Sequence, residues 1–161
     1  QMGADISFDI MAPDTNYQIA GFEVRALKQN HAGDSYGYSF AQNGKRAIYS
    51  TDGEHTQASE GETRRYIEFL SGADLLVFDS MYSMADMVSV RQDWGHSSNI
   101  VGVDMCHRAG IGHYCMFHHE PIYDDYDLQI ILDETVRYEK IMNRGASLRI
   151  SMAYDGLEIE L

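Results

Sequence analysis

Seven histidines fall within 161 residues, and four of them stand where a chain can gather side chains. His31 opens the glycine-bearing stretch His31-Ala32-Gly33-Asp34-Ser35-Tyr36-Gly37-Tyr38. The β-prone run Ala47-Ile48-Tyr49-Ser50-Thr51 delivers Asp52 and Gly53 at its end, where a carboxylate can point into a cleft while the glycine lets the backbone turn. A third run ends Met116-Phe117-His118-His119-Glu120-Pro121. Neighbouring side chains of a strand face opposite ways, so only one of the two histidines easily enters the same site. Imidazole nitrogens and a carboxylate from three strand ends make a ligand set for zinc or another borderline divalent metal. His96, within Trp94-Gly95-His96-Ser97-Ser98, precedes a helix N-terminus, where free N–H groups favour an anion and the imidazole can donate a proton.

Taken singly, each feature has a plainer meaning: His31 as a cap or core histidine, Asp52-Gly53 as a simple turn. His55, His107 and His113 fit solvated or packing roles. The sequence contains no Walker loop or Gly-x-Gly-x-x-Gly stretch to compete with the metal-ligand pattern.

The elements that must hold these residues are legible from periodicity. Alternating apolar and polar residues predict strands over 6–10 and 22–27. A hairpin joins 36–40 to 46–49 through Asn43-Gly44, a pair suited to the positive φ angles of a tight turn. A helix is expected over 62–70, stopping near Gly72, then a buried strand over 74–78. A second helix follows a Ser97-Ser98 cap and ends at Gly110; a strand over 114–117 comes next. The longest helix is expected over about 127–143 with Gly145 as its C′ residue, and residues 147–159 as a closing strand pair around Asp155-Gly156. Strands first, then alternating helix and strand, indicate a layered α/β arrangement whose strand ends can hold a site.

Composition narrows the partners. Lys and Arg number 12 against 25 Asp and Glu, a formal net charge of −13 that repels phosphate backbones, so no long nucleic acid is expected. The longest apolar run, around Leu75-Leu76-Val77-Phe78, is far short of the roughly 20 residues of a membrane-spanning helix, so no membrane partner is expected. Cys106 and Cys115 lack the spacing of a disulfide framework or zinc knuckle and suit reduced, buried thiols in a cytoplasmic protein. Gln1 is not an initiator residue, which implies a segment upstream.

Together these residues resemble the metallo-β-lactamase fold hydrolases, in the branch related to ribonuclease Z. Four stretches carry the resemblance in order: Asn30 to Tyr38, Tyr49 to Glu54, Ala73 to Asp79 with Trp94 to Ser98, and Phe117 to Pro121. The family's upstream His-x-His-x-Asp-His motif is absent from this sequence. The resemblance therefore implies a four-layer αββα sandwich of which residues 1–161 form the C-terminal portion of a single, N-terminally incomplete domain. It implies two divalent metal ions, zinc foremost with manganese or iron as others, about 3.5–4 Å apart and held by His31, Asp52 and His118 with Asp52 bridging. Hydroxide generated between the metals would attack a phosphodiester, and His96 would protonate the leaving oxygen or bind the phosphate. Asp79 is expected to orient a ligand histidine from outside the metal shell. His119 competes with His118 at its strand end and is otherwise an outer group; Asp34 and Glu120 are outer-shell or solvated. The implied partners are a small phosphoester substrate and either the missing N-terminal half or a second copy. The alternative of another class is a non-catalytic metal- or ligand-binding sensor module of the same fold.

Overall fold

A computed structural model describes residues 7–55, 59–83, 95–143, 145 and 147–161. Seven strands form one sheet in sequence order: β1 Asn16–Ile19, β2 Phe22–Lys28, β3 Tyr36–Gln42, β4 Lys45–Ser50, β5 Leu75–Asp79, β6 His113–Phe117 and β7 Arg149–Met152. Strands β1 to β4 are antiparallel, whereas β4 to β7 are parallel. The direction changes because β1 to β4 are joined by short turns, while helices α1 Glu60–Leu70, α2 Asn99–Ala109 and α3 Asp125–Met142 lie on the three later connections.

Local chemistry explains the boundaries. Asn43 and Gly44 both take positive φ (53° and 75°), the backbone a two-residue hairpin turn needs. Ser59 caps α1 by accepting from the Glu62 N–H, and Ser98 caps α2 by accepting from the Val101 N–H. Helix α2 ends on left-handed Gly110. Helix α3 begins two residues before the expected position because Asp124 and Asp127 form a reciprocal capping box. It ends at Met142 with Asn143 as its C-cap, close to the expected end; Asn143 Oδ1 accepts from the Gly145 N–H, and Gly145 lies one position beyond the expected C′.

Two expected strands are corrected. Residues 7–12 are not a strand, and Phe8 and Ile10 are exposed; Ile6 lies outside the described residues. The first strand is instead β1, positioned where Asp14 pairs with Arg25 and Arg65. In the tail only β7 forms, followed by a turn in which the Leu157 N–H donates to the Tyr154 carbonyl.

Alternation divides the sheet into unlike faces. Ile48, Leu76, Phe78, Tyr114 and Met116 share one core with Tyr66, Phe69 and Leu70 of α1, Val101, Val103 and Met105 of α2, and Ile131 of α3. A Cβ on Gly102 would meet the Tyr114 ring at 2.3 Å, so only glycine lets α2 sit this close to β6. On the opposite face Phe22, Phe40, Tyr49 and Phe117 remain 37–41% exposed. Among the described residues the architecture is thus one helical layer on one sheet, the αβ half of the expected αββα sandwich. Cys106 and Cys115 are free and buried, as expected. No described helix is long and apolar enough to cross a membrane.

Candidate metal centre

Parallel strands end together, and their C-terminal ends are where chemistry can collect. Asp79 is the last residue of β5, Asp52 lies two residues beyond β4, and His118 directly follows β6. Asp52 and His118 leave their strands in the left-handed region (φ 55° and 60°), a conformation that non-glycine residues adopt at some cost. His31 arrives from the β2–β3 loop and His96 from the segment leading into α2.

These five side chains converge. One donor atom each from His31, Asp52 and His96 lies within 4.8 Å of the others, and so does one each from Asp79, His96 and His118. His118 Nε2 stands 3.3 Å from Asp52 Oδ1, joining the two groups. The His96 ring stacks on His118 at 5.0 Å and meets His31 edge-on at 5.4 Å. Donors bound to one ion at about 2.1 Å stand roughly 3–4 Å apart, so shifts below about 1 Å would close either group on an ion. Mixed imidazole and carboxylate donors suit zinc, manganese or iron, and the residues present fit such a group.

The surroundings hold these donors in place. Asp79 is fully buried; its Oδ2 lies 2.9 Å from His96 Nδ1 and accepts from the Asp52 N–H, while Oδ1 accepts from the Met81 N–H. Burial pushes the Asp79 carboxyl up, with the His96 contact working against it. Gly95 takes φ 86°, and a Cβ there would meet the His31 ring at 2.9 Å, so glycine is required for that ring to sit where it does. The Gly95 N–H donates to Glu54, and Ser97 Oγ donates to the Gly53 carbonyl at 2.7 Å while accepting from the His55 N–H. The His96 segment is thereby fastened to the Asp52 loop.

The other candidates fall elsewhere. His119 belongs to neither donor group; it is half-buried, and desolvation lowers its pKa. Asp34 turns outward to a surface pair with Lys28, which places it away from the donors. His55 stacks on Tyr66 with ring centroids 3.7 Å apart, and burial drives its pKa down to about 3, so it packs as a neutral ring. His107 approaches Glu139 at 3.8 Å, and His113 lies 2.9 Å from Ser151 Oγ; both are packing residues. Trp94 lies outside the described residues. Sequence reasoning passed over Glu54, Ser97 and Gln29, whose contacts cross between distant segments and leave no periodic signal.

Known proteins share this architecture. Residues 2–119 match the family described as Beta-lactamase superfamily domain. A ribonuclease Z from Brevibacillus brevis is 31% identical over 86 residues, covering 53% of this chain and 24% of that protein. The metallo-beta-lactamase fold protein YhfI from Bacillus subtilis superposes with a TM-score of 0.65 at 16% identity, over 91% of this chain and 53% of that one. The short form of human tRNase Z superposes with a TM-score of 0.59 at 16% identity, over 89% of this chain and 45% of that one. The chain thus spans about a quarter of the matched ribonuclease Z and about half of the matched structures. With that family match across the segments that carry His31, Asp52, His96 and His118, the chain belongs to the β-lactamase superfamily.

Proposed function

We propose that this chain supplies part of the active site of a metal-dependent hydrolase acting on a small phosphodiester. The observation that carries this reading is the convergence of His31, Asp52, His96, Asp79 and His118 at adjoining strand ends. His31, Asp52 and His118 would hold two divalent ions, zinc foremost. When bound, such ions supply Lewis-acid stabilisation of charge and make water acidic enough to ionise near neutral pH.

The chain's own groups do the rest. Asp79 accepts a proton contact from His96 Nδ1, which fixes the ring's tautomer and leaves Nε2 to meet the substrate. His96, protonated, donates from Nε2 to the leaving oxygen or to a phosphate oxygen. The two backbone N–H groups on Asp79 keep its carboxylate from rotating away.

The acidic balance of 12 basic against 25 acidic residues favours a small phosphoester over a long nucleic acid, because only the ions focus positive charge. The uncovered aromatic face of the sheet suits the second αβ half of the sandwich as its partner, and the two buried thiols suit a cytoplasmic setting. One observation favours the second reading, a non-catalytic module holding one ion: both donor groups include His96, and a histidine bound to metal cannot serve as the acid.

The test is hydrolysis of bis(p-nitrophenyl) phosphate by the intact protein loaded with zinc or manganese. Turnover that is lost in Asp52→Ala supports the hydrolase. Stoichiometric metal binding without turnover under either metal overturns it in favour of the binding module.

A further inference from the structure

We infer that Gln29, a residue outside the donor set, is the positioning residue that sets the spacing between His31 and Asp52; the inference rests on the metal-site reading above. Gln29 ends the run from β2 two residues before His31, and its side chain is buried with 6% exposure. Its carboxamide Nε2 donates to the Thr51 carbonyl at 2.6 Å and to Ser35 Oγ at 2.9 Å, and lies 3.5 Å from the Asp52 carbonyl. Its Oε1 accepts from Ser50 Oγ, which in turn meets the Tyr66 hydroxyl at 2.7 Å. One side chain therefore grips the segment carrying Asp52, residue by residue from Ser50 to Asp52, from a point two residues short of His31.

The cradle is shaped for this amide. A Cβ on Gly37 would meet Gln29 Oε1 at 2.9 Å, and a Cβ on Gly53 would meet its Cδ and Nε2 at 3.2 Å. Backbone contacts run alongside: the Gln29 N–H donates to the Ser35 carbonyl, and the Glu54 N–H donates to the Asn30 carbonyl. A surface loop ordinarily meets its polar needs with water; here a buried amide with both donor and acceptor occupied replaces water between two loops. Loss of this amide would let the Asp52 loop, already held at positive φ, relax away from His31. Asp79 and Ser97 tie the same loop to β5 and to the His96 segment, while Gln29, with Ser35 Oγ donating to the same Thr51 carbonyl at 3.3 Å, links it to the His31 side.

The test compares the intact wild-type protein with Gln29→Leu and Ser35→Ala, reading zinc affinity by chelator competition and the visible spectrum of the cobalt-substituted site. Changes in groups that orient metal ligands weaken binding about 10- to 100-fold. Gln29→Leu is expected to lose zinc affinity by about that factor and to alter the cobalt spectrum; Ser35→Ala, which removes the hydroxyl that accepts from Gln29 and donates to the Thr51 carbonyl at a half-buried position, is expected to lose about threefold in the same direction. Unchanged affinity and spectrum in folded Gln29→Leu overturn the inference, as does an unchanged Ser35→Ala if Gln29→Leu does not fold. A wild type that binds no metal overturns the metal-site reading itself, so the two failures are distinct.

Discussion

The two ends of the parallel strands gather polar side chains to opposite purpose. At the N-terminal ends, Arg46 donates to Ser39 Oγ and to the carbonyls of Phe69 and Ser71, and Asp74 accepts from the Arg46 N–H and from Lys45. Every charge there is answered by a neighbour, and the cluster closes the gap between α1 and β5. At the C-terminal ends, His31, Asp52, His96 and His118 crowd together with lone pairs facing one another, on two residues at positive φ. The first arrangement satisfies its own polar groups; the second holds two non-glycine residues in the left-handed region, a cost that the proposed binding of an ion would offset.

The contrast can be broken or sharpened by substitution. The largest effect belongs to Asp52. Asp52→Ala is expected to cut metal affinity at least about 100-fold and hydrolysis by about 1,000-fold or more, with denaturation midpoints near wild type. Asp52→Gly sharpens the point: relief of the left-handed strain should raise stability by about 1 kcal/mol while the metal is lost, measured by urea unfolding and elemental analysis.

Next comes Asp79→Asn, which presents an amide where His96 Nδ1 needs an acceptor. The prediction is a 10- to 100-fold loss of turnover with smaller change in metal content, checked by steady-state kinetics beside metal analysis. At the opposite strand ends, Arg46→Leu leaves the Phe69 and Ser71 carbonyls and Ser39 Oγ without their donor. It should cost about 2 kcal/mol in urea unfolding and leave metal content unchanged.

The smallest effect is a pH dependence. Contacts from the Arg46 N–H and Lys45 hold the Asp74 carboxyl below its ordinary 3.8. A group depressed on folding contributes stability that is complete above the unfolded value and fades as pH falls through the folded one. The unfolding midpoint of wild type should therefore drop below about pH 4 more steeply than that of Asp74→Asn. Solvent exposure keeps this difference slight.

Much of this fold is legible in the sequence. Ser98 and Gly110 bound α2 as their side-chain and backbone chemistry requires, and Asn43-Gly44 turns the hairpin. The strand ends bearing Asp52 and His118 followed from short apolar runs broken by polar residues. Strand β1 was not readable: Asn16-Tyr17-Gln18-Ile19 alternates over only four residues and buries no face, and it is held by ladder pairing to β2. Conversely, Phe8 and Ile10 alternate like strand residues yet lie exposed, since a pattern creates a strand only where a partner edge accepts it. At the site, metal-ligating types betrayed His31, Asp52, His96 and His118. Gln29 betrayed nothing, because an amide acquires its role only from the carbonyls the fold brings to it.

The central claim is that His31, Asp52 and His118 hold divalent metal. Elemental analysis of the purified intact protein, beside the triple variant His31→Ala, Asp52→Ala, His118→Ala, tests it most directly. The account predicts two divalent ions per wild-type molecule and their loss in the variant. Metal-free wild type after loading, or equal metal content in both proteins, would contradict it.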